Sequence, residues 1–154
     1  ADYGGNPDQF YISGSSAGGH LVGMVLAHDW SGEEGIPEDF IKGAVVITGV
    51  MDTNPVLHVT PNEQIQLTPE LAHANNPMLN PPTIQAPLII AVGGDEPTGW
   101  RQMSKDYYDL CKSRGLTCEY HEVPGTHHFS VTESMGKAGS LMQNLVFGQM
   151  GISV

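Results

Sequence analysis

The sequence predicts an α/β fold built on a mostly parallel sheet, and three observations carry that reading. Short apolar, β-prone runs alternate with segments of helical periodicity along the chain. Two of the runs, "IKGAVVITGV" (41 to 50) and "APLIIAVGG" (86 to 94), lack polar alternation, the pattern of strands covered on both faces. Glycines, acids and histidines gather just past the ends of the runs, where α/β sheets carry their functional loops. Length and composition agree with one soluble domain over residues 1–154, since 40% of its 154 residues are hydrophobic and 15% charged.

The first run, Phe10 to Ser13, leads through a glycine cluster into Leu21, Val22, Met24, Val25 and Leu26, so strand, turn and buried helix follow one another. Residues 41 to 50 form the next strand. In "LTPELAHANNP" (67 to 77), Thr68 precedes Pro69 and Glu70, which predicts a short helix capped by Thr68. After the strand at 86 to 94, Trp100, Met103, Tyr107 and Leu110 recur at helical spacing, and Gly115 marks a stop. "TCEYHEV" (117 to 123) alternates more and reads as a strand nearer a sheet edge. Val131, Met135, Ala138, Met142 and Leu145 then predict one final amphipathic helix.

Charge and motif content exclude several classes. Six Lys and Arg against 17 Asp and Glu give a net charge of -11, which disfavours nucleic acid and anionic membrane as partners. No apolar run reaches the roughly 18 residues of a membrane span. Cys111 and Cys118 lack metal spacing and read as buried free thiols. His127 and His128 have no third ligand nearby in sequence, so neither a metal nor an organic cofactor is expected.

What the strand ends carry is a serine, an acid and a histidine, in that chain order. Gly14-Ser15-Ser16-Ala17-Gly18 matches G-x-S-x-G, a tight strand-to-helix turn that lifts its central serine, here Ser16, out of the backbone. Glycines two before and two after are expected because the turn brings backbone too close for a Cβ; Ser15 is the filler. The Lys-Ser/Thr of a phosphate loop and the spacing of a dinucleotide loop are both missing. A serine hydroxyl needs a base to attack, and a carboxylate behind that base fixes its tautomer. His127 and His128 lie in a loop past the fourth strand and are the candidate bases; His20, His28, His58, His73 and His121 lie where surface or satisfied core roles fit better. Asp95 and Glu96 directly follow the third strand and are the candidate acids. Trp100, Tyr107, Tyr108 and Phe129 are assigned to packing, and His20 to capping a neighbour.

Five stretches carry a family resemblance: "YISGSSAGGHL", "AHDWSGEEGIP", "AVVITGVMDTNPV", "VGGDEPTGWRQMSKDYYDL" and "GTHHFSV". Together they resemble the C-terminal portion of an α/β-hydrolase of the kynurenine formamidase (arylformamidase) type, close to the wider esterase/lipase group. The resemblance implies a partial α/β-hydrolase fold of about four parallel strands flanked by helices, lacking the N-terminal strands and leaving the first strand as an open edge. It implies Ser16 as nucleophile, Asp95 as orienting acid and His128, which immediately precedes Phe129, as base, with Glu96 and His127 as alternates. The backbone N–H of Ala17 would hold part of the oxyanion. The family's His-Gly-Gly oxyanion segment has no counterpart in these residues. The implied substrate is a small molecule, an aryl formamide resembling N-formylkynurenine or else a small ester; the implied location is cytoplasmic, and oligomeric state is not implied.

Overall fold

The computed structural model describes residues 3–153. Four strands, β1 (Phe10–Ser15), β2 (Ile41–Ile47), β3 (Leu88–Gly93) and β4 (Cys118–Val123), form a single sheet in the order β1-β2-β3-β4. Every neighbouring pair is parallel, as the apolar runs required. Among the described residues six α-helices flank them: α1 (Ala17–Ala27), α2 (Asn62–Ile65), α3 (Pro69–Ala74), α4 (Thr98–Ser113), α5 (Ser130–Glu133) and α6 (Leu141–Gln149).

The central strands bury both faces because successive side chains point to opposite sides of a strand. Ala44 and Val46 of β2, with Leu88 and Ile90 of β3, pack toward Val22 and Leu26 of α1 and Tyr107 and Cys111 of α4. Val45 and Ile47, with Ile89 and Ala91, pack instead against Val131 of α5 and Met142 of α6. The result is three layers, helix on sheet on helix, with Lys42 at the start of β2 the one charged residue on the two central strands.

β1 differs. It is half exposed along its length and, among the described residues, pairs with β2 alone, so its outer backbone edge is open, as the resemblance implied. β4 is the other edge, as its sequence suggested, but its burial does not alternate: Cys118 and Val123 at its ends are buried, and the four residues between them are intermediate or exposed.

Two elements depart from the sequence reading. β2 stops at Ile47 because Thr48 takes a φ of +45°, which takes the backbone out of the strand region. The final helix is broken: α5 ends at Glu133, a 3-10 turn covers Ser134–Gly136, and Gly139 at φ +73° turns the chain before Ser140 caps α6 through Gln143 N–H. The capped helix expected after Thr68 is α3, whose Leu71 N–H donates to Thr68 Oγ1 at 3.3 Å.

Candidate active site

Because all four strands are parallel and in close register, their carboxyl ends form one rim. Ser15 pairs with Ile47, Ile47 with Ala91, and Gly93 with Val123. Ser16, Thr48, the turn after Gly93 and the loop after Val123 therefore meet at one end of the sheet.

Ser16 sits between β1 and α1 at φ 56°, ψ -117°, a conformation that L-residues adopt only when the surroundings hold them there. Its N–H donates to Ile47 O at 3.0 Å, and its carbonyl accepts from His20 N–H at 3.1 Å and Val50 N–H at 3.3 Å. Three elements thus fix the strained residue. A Cβ on Gly14 would lie 2.1 Å from Gly18 O, and one on Gly19 would lie 2.7 Å from Gly49 Cα. A Cβ on Gly18 would meet nothing within 4 Å. The steric demand expected of Gly18 therefore falls on Gly14 and Gly19, since Gly18 contributes only the carbonyl that Gly14 must clear.

Ser15, the filler of the motif, has a partner: its hydroxyl lies 2.7 Å from Thr132 Oγ1 of α5. The turn bearing Ser16 is thereby tied to the helix that follows His128. Ala17 opens α1, so its N–H has no helical acceptor and makes no other backbone hydrogen bond among the described residues.

On the acid, the geometry departs from the expectation. Asp95 is exposed and makes no side-chain hydrogen bond among the described residues, whereas Glu96 is 5% exposed and its Oε2 lies 2.9 Å from His128 Nδ1. The turn after β3 decides this. Glu96 N–H bonds back to Gly93 O at 3.1 Å while Asp95 N–H bonds to Thr126 O at 2.9 Å, which points the second acid inward and the first outward. Glu96 Oε1 is held in turn by Gly93 N–H at 2.9 Å and Thr48 Oγ1 at 2.5 Å. Arg101 ties the turn to β4, donating from Nε to Glu96 O and from a terminal nitrogen to Glu122, each at 3.1 Å. The Tyr120 hydroxyl and Arg101 hold the Glu122 carboxyl below the usual carboxylate range.

His128 faces this buried carboxylate, and its ring meets that of Trp100 nearly at right angles with centroids 4.8 Å apart. His127 is turned away: its Nδ1 accepts from Phe129 N–H and Ser130 N–H at 3.3 and 3.4 Å, a local cap at the start of α5. Ser16 Oγ and His128 are not hydrogen-bonded to each other. Of the aromatic residues assigned to packing, Tyr107 is in the core, but Phe129 is 71% exposed beside His128, with ring centroids 5.4 Å apart. His20 bonds Asn75 O at 2.7 Å, closing the end of α3. Cys111 and Cys118 are free and buried.

Thr48 and Trp100 complete the site, and sequence reasoning missed both. Trp100 Nε1 donates to Thr48 O at 3.1 Å, so the tryptophan braces the threonine and borders the histidine. A threonine directly after the apolar run "AVVI" and just before Gly49 is a local signal for a strand end.

Among the described residues no cluster of three or more His, Cys, Asp or Glu is placed to hold a metal, and no helix is long and apolar enough to cross a membrane.

Comparison with known proteins agrees with this architecture. No protein-family model matches the chain. A kynurenine formamidase from Danio rerio is 32% identical over 148 residues, which cover 93% of this chain and 50% of that protein. A crystal structure from Silicibacter sp., provisionally assigned as a thioesterase, is 25% identical and superposes with a TM-score of 0.71 over 84% of this chain and 47% of its own. Esterase B from Lactobacillus rhamnosis, at 15% identity, shares the fold with a TM-score of 0.67 over 95% of this chain and 55% of its own. The chain spans about half the length of the curated relatives it matches. It carries a partial α/β-hydrolase fold, four parallel strands with flanking helices, and is similar in sequence to kynurenine formamidases over half their length.

Proposed function

We propose that this chain is the C-terminal portion of a serine hydrolase whose nucleophile is Ser16, whose base is His128 and whose orienting acid is Glu96. The supporting observation is the buried Glu96 carboxylate 2.9 Å from His128 Nδ1, on the same rim as a serine at φ 56°. Asp95, the acid implied by the resemblance, is given no part in this assignment because it faces solvent.

Such a constellation performs acyl transfer in two steps. Ser16 Oγ attacks the carbonyl carbon as His128 Nε2 takes its proton, and the Ala17 N–H donates to the oxyanion. The C–N bond then breaks, the amine leaves with the proton from His128, and water, activated by the same imidazole, releases the acid from Ser16. Glu96 stays ionised and stabilises the imidazolium. The Ser16–His128 hydrogen bond forms when substrate closes the site, since such bonds are often long before substrate binds.

The substrate we infer is an aryl formamide, on the likeness to kynurenine formamidases; a small carboxylic ester is the second reading, on the likeness to an esterase. A fluorophosphonate probe should label Ser16 in the full-length protein, and Ser16→Ala should abolish labelling. N-formylkynurenine and p-nitrophenyl acetate then separate the two substrates. Absence of labelling in the full-length protein would make this a binding module of hydrolase fold. The 154-residue chain alone should turn over either substrate poorly, because loss of one oxyanion donor costs about 10²–10³ in rate.

A further inference from the structure

We propose that the Thr48 hydroxyl is a positioning group that fixes the ring proton of His128 on Nδ1 and holds the Glu96 carboxylate toward it. Its catalytic consequence rests on the hydrolase reading above; the tautomer itself does not.

The assignment follows from counting donors. Thr48 Oγ1 lies 2.5 Å from Glu96 Oε1 and 3.1 Å from His128 Nδ1, and has a single proton. An ionised carboxylate only accepts, so the Thr48 proton goes to Glu96. That leaves Nδ1 facing Glu96 Oε2 at 2.9 Å and the lone pairs of Thr48 at 3.1 Å. Nδ1 must therefore carry the proton and share it between two oxygens, which leaves Nε2 with a free lone pair. The opposite arrangement, with Thr48 donating to Nδ1, would set lone pair against lone pair at both Glu96 contacts.

The backbone argues that the hydroxyl is why a threonine stands here. Thr48 is fully buried at φ +45°, a genuine outlier for a β-branched residue. A glycine would adopt that conformation without strain. The strained residue is instead anchored through its N–H to Ala91 O at 2.6 Å, through its carbonyl to Trp100 Nε1 at 3.1 Å, and through its hydroxyl to Glu96. Strain held at three points, with the side chain placed between acid and base, is the pattern of a functional constraint. Like Glu96, Thr48 meets neither substrate nor the reacting proton; it is neutral and acts through the orientation of its two neighbours.

The test compares wild type with Thr48→Val, which keeps the branched shape and removes only the hydroxyl, and with Thr48→Ser, which restores it. Long-range ¹H–¹⁵N spectra of the neutral His128 imidazole should show the Nδ1–H tautomer alone in wild type and Thr48→Ser, and a mixture of tautomers in Thr48→Val. In the full-length protein, fluorophosphonate labelling of Ser16 should slow by roughly 10- to 100-fold in Thr48→Val, and turnover should fall in kcat rather than rise in KM. Thr48→Ser should recover most of that loss. A wild-type spectrum showing Nε2–H, or a Thr48→Val protein matching wild type in tautomer, overturns the proposal. If Thr48→Val does not fold, Thr48→Ala serves in the same comparison, and the wild-type spectrum alone still decides the proton's position. Should Ser16 resist labelling in every variant, the hydrolase reading fails while the tautomer measurement continues to decide this one.

Discussion

Two adjacent acids, Asp95 and Glu96, differ in fate through one turn. Sequence marks both as following a strand and cannot say which faces inward, because that depends on Glu96 N–H closing onto Gly93 O while Asp95 N–H pairs with Thr126 O. The consequence is measurable: Glu96→Gln should slow fluorophosphonate labelling of the full-length protein by two orders of magnitude or more, about what loss of the orienting acid costs in serine hydrolases, while Asp95→Asn should leave it within about twofold. Equal effects from the two substitutions would return the role to the pair as a whole. The glycines of the elbow divide in the same residue-specific way. Gly14→Ala forces a Cβ to 2.1 Å from Gly18 O, so it should destabilise the domain by several kcal/mol or prevent folding, on the order of other severe overpacking changes. Gly18→Ala meets no atom within 4 Å and lies inside α1, where alanine favours helix by about 0.5–1 kcal/mol, so urea unfolding should show it neutral or slightly stabilised. The motif as a sequence pattern treats the two glycines alike; only the packed turn separates them.

The elements were legible where burial dominates and obscure where local geometry does. β2 and β3 announce themselves by unbroken runs such as "AVVI" and "LIIAV", because a strand covered on both faces has no place for polar residues. The broken final helix was not legible, since Val131 and Met142 keep helical phase across the gap while Gly136 and Gly139 interrupt the backbone between them. α4 shows a further consequence of burial. Its Cys111 thiol, packed beneath the sheet, is pushed up to about 12 chiefly by desolvation, and the buried Tyr107 hydroxyl is raised in the same way. In the unfolded chain Cys111 would release its proton near its ordinary value of 9.0, so above that pH the unfolded state binds fewer protons than the native one. Stability is therefore complete below about pH 9 and falls as pH rises toward 12, by up to ~1.4 kcal/mol per pH unit for this one group. Urea unfolding at pH 8 and 10.5 should show that loss, and Cys111→Ala, although less stable overall, should show a shallower dependence on pH. An unchanged slope in the variant would place the alkaline sensitivity elsewhere, with Tyr107 first.

At the scale of the molecule, the open edge of β1 and the charge of -11 oppose each other. Unpaired strand edges invite pairing with another chain, and β1 offers one in which Phe10 is 46% exposed and no described strand lies outside it. Like charge spread over each copy resists that approach, but only over the distance that salt permits, about 10 Å at 0.1 M and 3 Å at 1 M. The 154-residue chain should therefore be monomeric at low ionic strength and associate as salt is raised, which sedimentation velocity at several salt concentrations would show. The full-length protein, in which further strands of the fold we propose would pair with β1, should not associate in this way. The comparison also bears on the site, because Ser16 directly follows the edge strand and is held by β2 through Ile47 O. Thr48, Glu96 and His128 lie just past β2, β3 and β4, and the Thr48 and Gly93 amides, which donate to Ala91 O and Glu96 Oε1, should exchange as slowly as those of the core. β1 amides should exchange faster than those of β2 and β3 in the short chain, and slow down in the full-length protein. Equal protection in both would mean that the elbow needs no outer strand to hold its shape, and that the impaired turnover expected of the short chain arises from the missing oxyanion donors alone.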